Sequence, residues 1–308
     1  MSTQLDKSFR LMIDRILDFS NRAASLRIRN RQLDVRFKED EQQVQIPVSD
    51  IAVVVIANPQ VHFSHAVLSE LCDHGAVLIV CDSSSLPTGM LLPLNAHHWQ
   101  VSRFEQQAKI KLPLKKALWQ QVVRQKVRNQ ATSLERAIGS DRGLKHLATQ
   151  VRSGDPNNVE AQAARRYWSA MFGDSTFKRD RDAKDENLLL NYGYAVLRAI
   201  VARAICASGL HPSLGIHHHN RGSGYPLADD LMEPFRPVVD EAVWNFVSEN
   251  HVPSSLSTLE KQHIISHLLS KFTHLGEQRT LFDIACRTAR SLVRAIEGET
   301  RKLELPEF

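Results

Sequence analysis

Apolar and polar residues alternate in Leu26-Arg27-Ile28-Arg29 and again in Leu33-Asp34-Val35-Arg36-Phe37, a period of two that gives each strand one apolar and one polar face. The short Asn30-Arg31 turn between these runs predicts a β-hairpin. Short β-branched runs follow at Val44 to Val48, Ile51 to Ile56 and Val77 to Val80, and the last two are continuous enough for strands buried on both faces. One helix is expected between them, with Ser64 as its cap, Val67, Leu68, Leu71 and Cys72 at helical spacing, and Gly75 as its stop. Beyond the Ser-, Pro- and Gly-rich stretch from Ser83 to Pro93 the strand signal almost vanishes. Leu188 to Ser208 is apolar nearly all round and ends before Gly209 and Pro212, which predicts a central helix covered by others. Amphipathic segments run from Leu256 to Phe272 and from Leu281 to Ile296. The pattern therefore predicts an α+β protein. A small N-terminal β-strand domain with one helix, residues 1–90, precedes a larger all-helical domain, residues 91–308.

Composition changes this picture little. The chain has 308 residues, 43% of them hydrophobic, enough to bury a core in each of two domains. No run of eighteen apolar residues appears, and Met1 to Lys7 lacks the apolar stretch of a secretory signal, so the expected compartment is the cytoplasm, with no membrane partner. Cys72, Cys81, Cys206 and Cys286 lie far apart with no Cys-x-x-Cys pair, as reduced core residues would.

Charge adds more. The net charge is +5, yet residues 103–152 alone carry twelve Lys and Arg against three Asp and Glu. A cationic stripe of this size fits a polyanion, because each neutralised phosphate releases condensed counterions. A solvated helix face would have the same composition.

Three segments carry candidate chemistry. Glu160 follows Asp155-Pro156-Asn157-Asn158, where Asp155 or an Asn can accept hydrogen bonds from the first turn. Helix-dipole stabilisation alone accounts for a first-turn glutamate. Glu160 also aligns with Ala164, Tyr167 and Met171, on the edge of the buried face, where a carboxylate needs a partner. Gly215-Ile216-His217-His218-His219 follows the central helix, and alternation in an extended segment sends His217 and His219 to one side and His218 to the other. In Asp229-Asp230-Leu231-Met232-Glu233 either aspartate can cap a helix, and the three acids could share a face; Pro234 is tolerable in a first turn, whereas Pro237 should kink or end the helix. Two carboxylates and an imidazole suit a hard divalent cation.

Together these segments resemble a known family, the CRISPR adaptation integrases, metal-dependent nucleases that insert new spacers into the array. The resemblance rests on the Glu160-Ala161-Gln162-Ala163-Ala164-Arg165-Arg166-Tyr167-Trp168 helix, on Asn187-Leu188-Leu189-Leu190-Asn191-Tyr192-Gly193-Tyr194, on Gly215-Ile216-His217-His218 and on Ala228-Asp229-Asp230-Leu231-Met232-Glu233-Pro234-Phe235-Arg236. The last two look most like the branch that accompanies type II effectors. The resemblance implies that Glu160, His218 and Glu233 form the catalytic, metal-binding set, with Mg²⁺ or Mn²⁺ as cofactor. His218 is the fourth residue of the family's Gly-x-x-His, and Glu233 stands where many members carry Asp. Asp230, His217 and Asn191 are expected in support. The implied assembly is a homodimer through the N-terminal domain, joined by a small second adaptation protein and holding double-stranded DNA, both prespacer and CRISPR repeat. Lys115, Lys116, Arg124, Lys126, Arg128, Arg165 and Arg166 are the expected phosphate contacts. Two other readings use the same residues: a catalytically silent DNA-binding scaffold, and a metal-dependent phosphoesterase acting on small substrates.

Overall fold

The computed structural model describes residues 14–39, 42–82, 87–93, 97–180, 183, 185–218, 224–253 and 255–308. Ser83 to Leu86 and His219 lie outside the described residues.

The N-terminal region holds two four-stranded sheets. Strands β1 (Arg15–Phe19), β2 (Ala24–Arg29), β3 (Gln32–Phe37), β4 (Gln43–Pro47), β5 (Ile51–Ile56), β6 (His62–Phe63), β7 (Val77–Cys81) and β8 (Pro87–Leu91) pair in the orders β1-β5-β7-β8 and β4-β3-β2-β6. The expected hairpin is β2–β3, with Leu26 opposite Val35 and Ile28 opposite Leu33. Asn30 and Arg31 both take positive φ, 50° and 60°, as a two-residue turn matched to strand twist requires. Helix α1 (His65–Asp73) starts after Ser64, which caps by position but makes no side-chain cap bond, and it stops at Gly75, φ 69°.

The continuous run in β5 serves two cores. Ile51, Val54 and Ile56 join Leu26, Leu33, Leu71 and Leu78 between the sheets and α1, while Ala52, Val53 and Val55 face the helices. Burying each such Val or Ile contributes roughly 1.5–3 kcal/mol before entropy, which is why every position of β5 is apolar. The helical core therefore continues onto one face of the first sheet.

Helices α2 (Gln100–Ala108), α3 (Leu112–Ile138), α4 (Leu144–Thr149), α5 (Val159–Met171), α6 (Glu186–Ala207), α7 (Pro226–Met232), α8 (Arg236–Glu249), α9 (Thr258–Leu268) and α10 (Leu281–Ile296) make up most of the remainder. The predicted central helix is α6. It is long and apolar enough to cross a membrane, but 78% of its most apolar window is buried inside the protein, against α7, α8, α9 and α10. The C-terminal region is not all-helical: helix α9 ends at Leu268, and β9 (Lys271–His274) and β10 (Glu277–Thr280) form an antiparallel hairpin that takes up the last two residues of the amphipathic segment expected to run to Phe272. The stretch read as a connecting loop likewise contains β8, an edge strand antiparallel to β7, where a proline is tolerated.

Candidate active site

Glu160 enters from the first turn of α5. Both preceding bends are left-handed, Asp155 at φ 48° and Asn158 at φ 51°, and they aim the Asp155 carboxylate at the helix start. Its two oxygens accept the amides of Val159 and Glu160, each at 2.9 Å, so of the residues able to cap this helix Asp155 does so. A cap of this kind is worth about 1 kcal/mol. The buried face carries Ala163, Tyr167 and Met171, with Ala163 rather than Ala164 as its small member, and Glu160 sits on its edge.

The partner that this edge position demands is a cation on α3. Lys126 Nζ lies 2.6 Å from Glu160 Oε1 and 2.6 Å from Glu233 Oε2. Lys126 therefore joins the two expected ligands instead of facing solvent as a phosphate contact.

Glu233 is placed by a break in helix geometry. Helix α7 begins at Pro226, so Asp229 and Asp230 lie in its body and neither caps it. A single 3-10 turn, Glu233–Phe235, then re-aims the chain into α8. Pro237 lies in the first turn of α8, where it lacks no helical partner, so it begins a helix rather than ending one. The three acids take different partners. Asp229 pairs with Arg198 at 2.8 Å, Asp230 turns to the histidine loop, and Glu233 Oε1 accepts from Arg236 Nε at 2.9 Å. Asn129 on α3 donates to the carbonyls of Pro234 and Pro306, tying this turn to the C-terminal segment.

Asp230 organises the histidine loop. Its buried carboxylate accepts the amides of Ile216 at 2.6 Å, His217 at 2.9 Å and His218 at 3.1 Å, and it meets His218 Nδ1 at 2.6 Å. Gly215 permits this close wrap: a Cβ there would meet the His218 carbonyl oxygen at 2.6 Å and Asp230 Oδ2 at 3.1 Å. With Nδ1–H directed at Asp230, Nε2 is the ring nitrogen of His218 left to accept a proton or a ligand. His217 and His218 both rest on Trp119 of α3, the first stacked at 4.2 Å and the second edge-on at 5.4 Å. Strict alternation would have separated them. Gln107 and Lys115 complete the frame: Gln107 donates to the carbonyls of His211 and Leu214, and Lys115 Nζ to that of Gly215 at 3.1 Å.

The electrostatics follow from these partners. Burial alone would raise the Glu233 carboxyl, but Arg236 and Lys126 outweigh it and hold it down at about 2. Burial likewise works against the Lys126 ammonium, and Glu233 and Glu160 outweigh it, raising its pKa. The hydrogen bond to Asp230 raises the pKa of His218 above its ordinary value against the opposing effect of burial. Among the described residues no three His, Cys, Asp or Glu side chains close into a ready metal-binding group. The donor chemistry nevertheless fits a hard divalent ion: two carboxylates meet at one cationic point, and Glu233 Oε2 is buried without an aligned hydrogen-bond donor.

The remaining expected residues divide. Asn191 accepts from Arg179 Nη2 at 2.9 Å and so holds the segment before α6. Arg124 Nη2 donates to the Val151 carbonyl at 2.9 Å, so it and Lys115 are structural cations instead of surface ones. Lys116, Arg128, Arg165 and Arg166 are exposed. Sequence reasoning did not find Trp119, Gln107 or Arg236. Of these only Arg236, three residues after Glu233, carried a local signal.

Comparison with known proteins gives concordant results. The family model described as "CRISPR associated protein Cas1" matches residues 19–271. The chain is 40% identical over 287 residues to a CRISPR-associated endonuclease Cas1 of Neisseria meningitidis serogroup C, covering 92% of this chain and 93% of that protein. It is 27% identical to a CRISPR-associated endonuclease Cas1 of Pyrobaculum aerophilum, covering 89% and 96%. Among solved structures, a casposase bound to integration product superposes with a TM-score of 0.77 at 19% identity, covering 94% of this chain and 92% of that one. A CAS1 protein from Thermotoga maritima gives 0.76 at 14% identity, covering 96% and 99%. A Cas6-RT-Cas1–Cas2 complex gives 0.75 at 19%, covering 96% of this chain and 36% of that one.

Proposed function

Since the chain belongs to the CRISPR-associated Cas1 family, we propose that it is a metal-dependent DNA endonuclease and integrase that joins short double-stranded DNA to the CRISPR array during spacer acquisition. The type II-like branch of the family is consistent with the Neisseria relative. The observation that carries the chemical reading is the meeting of Glu160 and Glu233, from separate helical segments, on one cationic point at 2.6 Å.

Glu160, Glu233 and Nε2 of His218 would hold Mg²⁺ or Mn²⁺. When bound, such an ion polarises a phosphodiester and lowers the pKa of an attacking hydroxyl. Asp230 keeps the His218 proton on Nδ1 and fixes the ring, so that Nε2 faces outward as a ligand or as an acceptor for the nucleophile's proton. Arg236 holds the second Glu233 oxygen and keeps that carboxylate ionised. The displacement is in line, and no side chain has to form a covalent intermediate. Exposed Lys116, Arg128, Arg165 and Arg166 would contact phosphates without reading base sequence. The partners fit the same reading: DNA, a Cas2-type protein as in the solved Cas6-RT-Cas1–Cas2 complex, and a second copy of this chain, all in the cytoplasm.

A strand-transfer assay in Mg²⁺ and Mn²⁺ tests it. Glu160→Ala and His218→Ala should abolish joining, whereas His217→Ala should retain more activity than His218→Ala. Joining at the wild-type rate by the first two variants overturns the assignment.

A further inference from the structure

Lys126 takes no part in the chemistry just derived, yet it stands at its centre. Its side chain is 12% exposed, and its ammonium lies 2.6 Å from a carboxylate oxygen of each glutamate. A buried ammonium without counter-charge is costly, and so is a pair of buried carboxylates facing each other, so each side of this arrangement stabilises the other. The two contacts differ. Nζ donates a hydrogen bond to Glu160 Oε1, but Glu233 Oε2 is buried and receives no aligned donor among the described residues. Its charge is balanced while a lone pair stays unused.

The surroundings say which partner can move. Leu118, Val122, Val123 and Val127 bury the inner face of α3 and fix its backbone. Arg236 anchors Glu233 through the other oxygen, and Asp155 anchors the start of α5 beneath Glu160. Of the three side chains, the lysine is the one that carries its charge on four methylenes.

We propose that Lys126 is the resident counter-ion of the metal site. Its ammonium takes the charge-balancing place of a divalent cation between Glu160 and Glu233, stabilises the metal-free protein, and has to withdraw when the metal enters, because the two cations compete for the same carboxylates. This inference rests on the metal-dependent reading of Glu160 and Glu233. It differs from a structural role in the sign of its effect: damage to the site weakens metal binding, whereas removal of a competitor tightens it.

The test is a Mn²⁺ titration of the full-length protein, with free Mn²⁺ read by electron paramagnetic resonance, together with thermal melts in chelator and in Mn²⁺. Lys126→Met and Lys126→Gln should bind Mn²⁺ about 5–150-fold more tightly than wild type, the range of ordinary coupling between competing sites. Both should melt below wild type in chelator and gain more on Mn²⁺ addition. Lys126→Arg, which keeps the charge, should bind no more tightly than wild type. If Lys126→Met does not fold, Lys126→Gln, which keeps a polar tip, decides the matter. Equal or weaker binding by the folded neutral variants, with wild type binding Mn²⁺ and Glu160→Gln failing to, overturns the Lys126 proposal and leaves the metal site standing. Failure of wild type and of every Lys126 variant to bind Mn²⁺ overturns the metal site itself.

Discussion

Two buried carboxylate clusters flank Arg236, and they have opposite character. On one side Glu233 and Glu160 meet Lys126, and Glu233 is held down at about 2 by Arg236 and Lys126 against the pull of burial. On the other side Asp240 accepts from Tyr167 at 2.9 Å and from Tyr194, whose ring lies under Arg236, and burial lifts its carboxyl to about 6 in spite of these bonds. Glu233 and Asp240 are both buried. The difference is the partner: cations preserve a full negative charge, while hydroxyl donors cannot offset the lost hydration. The Glu233 carboxylate, kept ionised beside a partly exposed imidazole, is the kind of group the proposed metal site needs, and a carboxyl sealed between two tyrosines braces α5, α6 and α8.

Mutating each cluster should expose that division, most severely at the ionised one. Glu160→Gln and Glu233→Gln should each lower strand transfer on the order of 10²–10³-fold or more, the scale of removing a group that stabilises developing charge. Asp240→Asn should leave strand transfer of the folded protein within a few-fold, and a loss as large as that of Glu233→Gln would erase the distinction.

The next effect is at Asp230, which acts on the site through His218. Asp230→Asn should cost about 10–100-fold in metal affinity or activity, the usual range for the partner of a ligating histidine. A Mn²⁺ titration checks it. An unchanged affinity would mean that the loop holds its shape without the carboxylate.

Stability against pH separates the clusters by sign. Asp240 has its folded pKa raised to about 6 from the ordinary 3.8, so the folded state binds the extra proton between these values. Stability therefore falls as pH rises through this window, by up to roughly 3 kcal/mol, and Asp240→Asn should remove that slope. Glu233 works the other way: its contribution is present above the ordinary carboxyl value of 4.5 and is lost as pH falls toward about 2. Denaturant melts from pH 3 to 7 of the two Asn and Gln variants read both slopes. Equal slopes in wild type and Asp240→Asn would show that folding leaves the Asp240 pKa unshifted.

The smallest effect concerns the basic residues, where the same rule of partners applies. Arg128→Glu and Arg165→Glu should weaken DNA binding across sequences and reduce the salt dependence by about one counterion each. Arg124→Gln, which removes one of the two donors to the Val151 carbonyl and leaves Gln120, should lower the melting temperature with little change in that slope.

Local pattern read much of this protein correctly. The β2–β3 hairpin, the doubly buried β5 and α6, apolar nearly all round, all follow from periodicity, and a capped start of α5 follows from a helix-entry sequence that offered Asp155 or an Asn. The Gly-x-x-His spacing has a physical basis as well, since only glycine at 215 lets three successive amides wrap the Asp230 carboxylate. Other elements carried signals that composition hid. Hairpin β9–β10 consists of four-residue polar strands around Leu275 and Gly276, both at positive φ, too short to show alternation. Strand β8 lies among prolines and glycines that an edge strand tolerates.

The sequence by itself determined the elements whose information is local: strand period, helix stops, the capped entry to α5, and the order of the motifs that mark the family. Only the tertiary structure decided which charges are solvent-facing and which are spent inside. Lys126, Lys115 and Arg124 look like neighbours Lys116 and Arg128 in a linear count of positive charge. They differ because α3 turns the first three toward the carboxylates of α5 and the turn before α8, the histidine loop and the Val151 carbonyl. An ion pair spanning 34 or 107 positions depends on how helices pack, and no window of sequence contains both of its partners.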